Sequence, residues 1–108
     1  DRKADRIDLP WLIRWMTSAT SEAIGLKDRG RIAPGYRADL NVIDFDRLGQ
    51  SYPYLTYDLP KGGKRFMQKG EGYVATYLGG IATYYDGEPT GALPGKLVRG
   101  PQGVPEAA

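Results

Sequence analysis

The chemistry open to this chain is set first by what it lacks. Its 108 residues include no His and no Cys. Zinc sites are built mostly from imidazole and thiolate, so the usual ligand sets are missing. Ser-His-Asp triads and His general bases are excluded for the same reason. Carboxylates remain, and Asp39, Asp44 and Asp58 are the trio that could be grouped into a cluster. With no partner ligands in the sequence, capping and turn roles are expected for all three.

Three further stretches hold residue types that bind ligands elsewhere. Pro60-Lys61-Gly62-Gly63-Lys64 has the composition of a phosphate loop. It lacks the GxxxxGK[ST] spacing, and no helical pattern follows it, so a solvated loop is the better reading. Lys69 to Thr76 partly matches the octamer of RNA-recognition motifs, whose aromatics stack on bases. Tyr73 and Val74 fit, but Glu71 and Thr76 stand where aromatics are needed, and a Glu repels phosphate. The eight Tyr could line a ligand surface. Tyr73, Tyr77, Tyr84 and Tyr85 fall on expected strands, where cross-strand packing is the default role of an aromatic.

The elements that must position these residues follow from local pattern. Asp8 is an expected N-cap, with Pro10 in the first turn of a helix. Leu9, Leu12, Ile13 and Met16 then form one apolar face, with Trp11 and Trp15 side by side next to it. That face is expected to pack against something larger. A second short helix runs through Thr17 to Ile24, with Ser18 as a candidate cap and Gly25 as a left-handed terminator. Lys27-Asp28-Arg29-Gly30 and Pro34-Gly35 read as turns.

Ala38 to Phe45 is the first expected strand, with Leu40 and Val42 on one face and Ile43 and Phe45 on the other. Residues 46–50 end it. Residues 50–70 read as an extended, aromatic-studded connection, with an exposed loop at Lys61–Lys64. Tyr73–Leu78 and Ile81–Tyr85 flank Gly79-Gly80 and spell a hairpin with a two-residue turn. Asp86-Gly87 closes its second strand. Eight Gly and Pro residues from Pro89 to Pro105 leave an irregular tail.

Net charge is +2, with acidic and basic residues interspersed. No basic block marks a nucleic-acid footprint, and no apolar run approaches the ~20 residues that cross a bilayer. No nucleic-acid or membrane partner is expected. No signal-peptide pattern opens the chain, and the lack of Cys fits a cytoplasmic setting. A start at Asp1 rather than Met reads as a piece of a longer protein.

Gly30-Arg31-Ile32-Ala33-Pro34-Gly35-Tyr36-Arg37-Ala38-Asp39-Leu40 resembles a segment near the C-terminal end of amidohydrolase-superfamily enzymes. Within that superfamily, the later blocks are most similar to the N-acyl-D-amino-acid deacylase (D-aminoacylase) group. Those blocks are Tyr57–Pro60, Gly62–Arg65, Gly72–Thr76, Asp86–Gly91 and Leu93–Arg99. The similarity spans about nine-tenths of the chain. Ala19-Thr20 departs from the Asn-Pro common in the family, and Tyr36-Arg37 from its usual Lys or Asp pair.

The resemblance implies a mainly β segment with short N-terminal helices. It would be the C-terminal part of a small β-sandwich, a composite domain flanking a metal-dependent (β/α)8 barrel. Residues 1–27 would be the terminal barrel-packing helices, 28–92 the C-terminal sandwich strands, and 93–108 an irregular tail. The parent enzyme would hydrolyse an amide C–N bond with zinc or another divalent metal held in the barrel. No catalytic, cofactor-binding or metal-binding residue is expected in this chain itself, so the isolated chain should be inactive. Its partners would be the missing barrel and the N-terminal sandwich strands, and self-association or strand swapping is expected without them. A stand-alone, non-catalytic β-rich binding module, RNA-recognition-like in its sharpest form, is the alternative.

Overall fold

The computed structural model describes residues 6–100 and Gly103. The end of the expected tail, at Pro101, Gln102 and residues 104–108, lies outside the described residues. The chain divides into two units. One takes in the described residues up to Asp39 and those from Gly95; the other is Leu40–Pro94.

In the first unit, α1 spans Leu9–Met16 and α2 spans Ser18–Ala23. Asp8 caps α1 as expected: its carboxylate accepts from the Trp11 backbone N–H at 3.2 Å, and Pro10 sits in the first turn. The indole rings of Trp11 and Trp15 meet at 5.9 Å and a tilted 54°. The expected apolar face is present but uncovered: Leu9, Trp11, Ile13, Trp15 and Met16 are all exposed.

Between the helices, the residue at the N-cap is Thr17 rather than Ser18, which is the first helical residue. Thr17 makes no side-chain cap bond because its hydroxyl donates back to the Ile13 carbonyl at 2.6 Å. Helix α2 ends as expected at Gly25, where φ is +81°. The Gly25 N–H donates to the Glu22 carbonyl and the Leu26 N–H to the Ser21 carbonyl, which together satisfy the last turn. Pro34-Gly35 forms a turn closed by the Tyr36 N–H on the Ala33 carbonyl at 3.1 Å.

The second unit is all β, and every pairing in it is antiparallel. The strands are β1 (Leu40–Ile43), β2 (Gly49–Gln50), β3 (Tyr54–Leu59), β4 (Gly63–Met67), β5 (Gly70–Glu71), β6 (Tyr73–Leu78), β7 (Ile81–Tyr85) and β8 (Glu88–Pro89). They form a four-stranded sheet of order β1-β6-β7-β8 and two two-stranded sheets, β2-β5 and β3-β4. The protein is therefore mainly β with short N-terminal helices. Its element order is not the βαββαβ of an RNA-recognition fold.

Three strand expectations need correction. The strand expected over Ala38–Phe45 is only β1, because Phe45–Arg47 turns into a 3-10 helix and the ladder shifts register between Val42 and Ile43. Phe45 therefore does not share a strand face with Ile43. Residues 50–70 are not an open connection: β3 and β4 form a hairpin closed by a 3-10 turn at Pro60–Gly62. The expected loop at Lys61–Lys64 is thus partly turn and partly β4. Finally, Glu88-Pro89 is not yet tail, because it adds β8 to the sheet opposite Tyr85 and Tyr84.

The β6–β7 hairpin forms where expected, with Leu78 opposite Ile81 and Gly79-Gly80 at φ +57° and +80°. Among the described residues only Gly72 and Ala75 are buried. A Cβ on Gly72 would stand 2.8 Å from the Arg47 carbonyl carbon and the Leu48 N and Cα. The glycine is needed there for close backbone approach as well as for its φ of +87°. Its carbonyl accepts from the Asp44 N–H at 2.8 Å, which pins the 3-10 turn to the start of β6.

Candidate functional site

The three carboxylates that could have formed a cluster stand apart, each with its own arginine. Asp39 lies 3.7 Å from Arg37 and Asp44 lies 3.8 Å from Arg47. Asp58 sits on β3 and takes a two-pronged contact from Arg65 on β4, with Nε to Oδ1 at 2.8 Å. This charge-assisted fork holds the Asp58 carboxyl below the usual carboxylate range and raises the Arg65 guanidinium further above its own. Asp44 stands at the cap position of the 3-10 turn without a side-chain cap bond, and Asp39 lies in an irregular stretch just before β1. The Asp58 pairing was not legible because the hairpin that creates it was not.

Among the described residues no group of three His, Cys, Asp or Glu side chains comes together. The chain lacks the imidazole and thiolate of which zinc sites are mostly built, and Asp39, Asp44 and Asp58 are each paired with an arginine. Nor do Lys61 and Lys64 form a phosphate cradle. Lys61 occupies the hairpin turn in a left-handed conformation, at φ +58°, and Lys64 lies on β4.

The concave surface of the β unit lies elsewhere. A cavity of about 290 Å³ is lined by Lys69, Gly70, Tyr73, Thr76, Tyr84 and Gly87. A second, of about 270 Å³, shares Lys69, Gly70, Tyr73 and Gly87 with it and adds Arg47 and Asp86. The Lys69 ammonium is 3.8 Å from the Glu88 carboxylate across this surface. Charges of both signs and half-exposed tyrosines line the groove, with no nucleophile held against a base. Sequence pattern singled out Tyr73 here, but for base stacking. The Asp86-Gly87 turn brings Gly87 and Glu88 to Lys69, which stands just before β5, and no local motif reveals that meeting. Tyr77 and Tyr85 pack edge to face at 6.4 Å and 85°, the cross-strand role expected of them. A hydrogen bond with Tyr85 raises the Tyr77 phenol above its ordinary value.

The family model described as the amidohydrolase family matches residues 2–89. The chain belongs to the amidohydrolase family. Two curated relatives are also similar over short stretches. Adenine deaminase 1 of Rhizobium johnstonii is 46% identical over 41 residues, covering 38% of this chain and 7% of that protein. Adenine deaminase of Cereibacter sphaeroides is 51% identical over 45 residues, covering 40% of this chain and 8% of that protein. The matched stretches thus span less than a tenth of the length of either relative. No solved structure matches it. Among the described residues no helix is long and apolar enough to cross a membrane.

Proposed function

We propose that this chain is the C-terminal scaffold segment of a longer, cytoplasmic, metal-dependent amidohydrolase that cleaves the amide C–N bond of N-acyl-D-amino acids. One observation carries the reading. A family match runs over residues 2–89 of a chain that has neither His nor Cys and leaves its apolar α1 face and sheet surfaces uncovered. Such a segment supports a site without supplying it. The zinc or other divalent ion of the parent would be held outside this chain, in the barrel, and no residue here takes part in the chemical step.

In this reading residues 1–27 dock on the barrel through Leu12, Met16 and the Trp11–Trp15 pair. Residues 28–92 complete a sandwich with strands from the start of the parent chain. Burial of the five exposed α1 side chains, at about 1.5–3 kcal/mol for a large apolar residue, is ample to hold the contact. The blocks Tyr57–Pro60, Gly62–Arg65, Gly72–Thr76, Asp86–Gly91 and Leu93–Arg99 favour the deacylase group. A second reading, hydrolysis of the exocyclic C–N bond of adenine, is favoured by the two adenine deaminases that are similar over 41 and 45 residues.

The test is to read the coding sequence upstream of Asp1 and express the extended protein with zinc. The expected result is a His-x-His motif after a strand, and release of free amino acid from N-acetyl-D-amino acids but not from their L enantiomers. Ammonia released from adenine instead would replace the substrate assignment with the second reading. A start codon immediately before Asp1 would overturn the scaffold reading and leave a stand-alone binding module.

A further inference from the structure

We propose that the Asp86-Gly87 turn is a site of spontaneous covalent modification. Asp86 closes to a cyclic imide on the Gly87 nitrogen and reopens as isoaspartate, and the change unpairs β8. The chemistry needs an Asp whose successor is small enough to let its nitrogen reach the side-chain carboxyl. Of the nine Asp residues, eight precede Arg, Leu or Phe, whose side chains obstruct that approach. Asp86 alone precedes Gly, and the single Asn, Asn41, precedes Val.

The fold leaves this dipeptide open to react. Asp86 and Gly87 are both exposed. Among the described residues, none bonds to the Asp86 carboxylate or accepts from the Gly87 N–H. A Cβ on Gly87 would meet nothing within 4 Å beyond its chain neighbours, so no packing shields the turn. Asp86 also sits at φ +48°, a left-handed conformation that strains an L-residue. The step needs no co-reactant but water. The Gly87 nitrogen attacks Cγ of the protonated Asp86 carboxyl, an N–C bond forms, and a C–O bond breaks to release one water. Water then adds back at either ring carbonyl. Opening at Cγ restores aspartate. Opening at the former main-chain carbonyl routes the chain through Cβ and Cγ, which is isoaspartate of unchanged mass.

The turn has no room for the extra main-chain atom. Tyr85 pairs with Glu88 across these two residues alone, and both take positive φ, as a tight hairpin turn of this kind requires. The chain is pinned on either side. The Asp86 N–H donates to the Val74 carbonyl at 2.9 Å, and Thr90 donates its N–H to the Thr83 carbonyl at 2.9 Å and its hydroxyl to the Ala82 carbonyl at 2.7 Å. An atom inserted between these anchors bulges the turn and opens the Tyr85–Glu88 pair, while β6–β7 is untouched. Lys69 then loses Glu88, and the groove at Tyr73 loses the wall formed by Asp86 and Gly87. The proposal holds whichever C–N bond the parent cleaves.

The test ages the protein, at its full encoded length, in heavy-oxygen water at neutral pH and then digests it with trypsin in ordinary water. Cleavage after Lys69 and Lys96 gives a peptide in which Asp86 is the one Asp and no Asn occurs. The expected result is a second form of this peptide that elutes apart, carries one heavy oxygen and accumulates with time, while the other eight Asp residues keep one form. Asp86→Glu, which would need a larger ring, should lose the second form. Hydrogen exchange followed by peptic digestion reads the two forms separately, and amides of residues 88–90 should lose protection in the isoaspartyl form alone. A single form after long ageing, equal reaction at another Asp, or a second form that persists in Asp86→Glu overturns the modification. So does a second form that appears only in urea, since the folded turn then shields its own carboxyl. Unchanged protection of residues 88–90 overturns the unpairing of β8.

Discussion

The two hairpins of the Leu40–Pro94 unit reach the same antiparallel pairing by different means. β6–β7 is joined by two glycines that both take positive φ, and β1 and β8 flank it on either side. β3–β4 is joined by Pro60-Lys61-Gly62, with a lysine in the left-handed region, and among the described residues it has no neighbouring strand on either edge. What holds it is a cross-strand charge pair and contacts that remain exposed. Turn chemistry alone suffices to specify the first hairpin. The second is specified by pairing, so its stability depends on what its surroundings supply.

Substitutions can separate these two modes. The largest effect is expected at the foot of β6. Gly72→Ala puts a Cβ 2.8 Å from backbone atoms of Arg47 and Leu48 at a φ of +87°, so the 3-10 turn must detach. A loss of about 2–4 kcal/mol is expected in urea unfolding followed by circular dichroism. A loss under about 0.5 kcal/mol, the size of an ordinary surface change, would mean that this contact does not organise the sheet.

Next come the two turns. Gly80→Val should cost about 1–2 kcal/mol, because a β-branched residue is placed at positive φ. Lys61→Gly should act in the opposite direction and stabilise the β3–β4 hairpin by up to about 1 kcal/mol. If both substitutions destabilise equally, the contrast between the turns fails.

The smallest effect is electrostatic. The Asp58 carboxyl is held below its unfolded value, so its contribution to the β3–β4 hairpin is present above the ordinary aspartate range. It is lost as pH falls through the lowered folded value. Amide protection across β3, taken relative to the intrinsic exchange rate at each pH, should therefore fall on acidification in the wild type. In Asp58→Asn that protection should be lower at neutral pH already and lose the acid step. An unchanged acid step in the variant would assign it to another group.

How much of this was legible follows from which signals are local. The Asp8 cap, the Gly25 terminator and the Gly-Gly hairpin each need only a few neighbouring residues, and each appears where sequence puts it. The β3–β4 hairpin was missed because Pro53, Pro60, Gly62 and Gly63 read as breakers. The signal that could have found it is non-local: the β-rich run Tyr54–Tyr57, with Asp58 and Arg65 placed to meet across a turn. β1 was read too long because Phe45 looks like strand continuation. Only the distant Gly72 carbonyl, accepting from Asp44, shows why the chain turns there. The groove around Tyr73 was illegible because Lys69 and Gly87 are eighteen residues apart. The family resemblance was legible in the Gly30–Leu40 phrase, which lies in a turn-rich segment.

Both tryptophans of the chain lie on α1, one turn apart and about half exposed, while the β unit carries tyrosine and phenylalanine alone. The protein therefore has an intrinsic optical probe that reports on one short helix and is blind to the sheets. Excited at the red edge of indole absorption, the isolated chain should emit at the long wavelengths of hydrated tryptophan. Any partner that seats on α1 should shift that emission to the blue, with no label added.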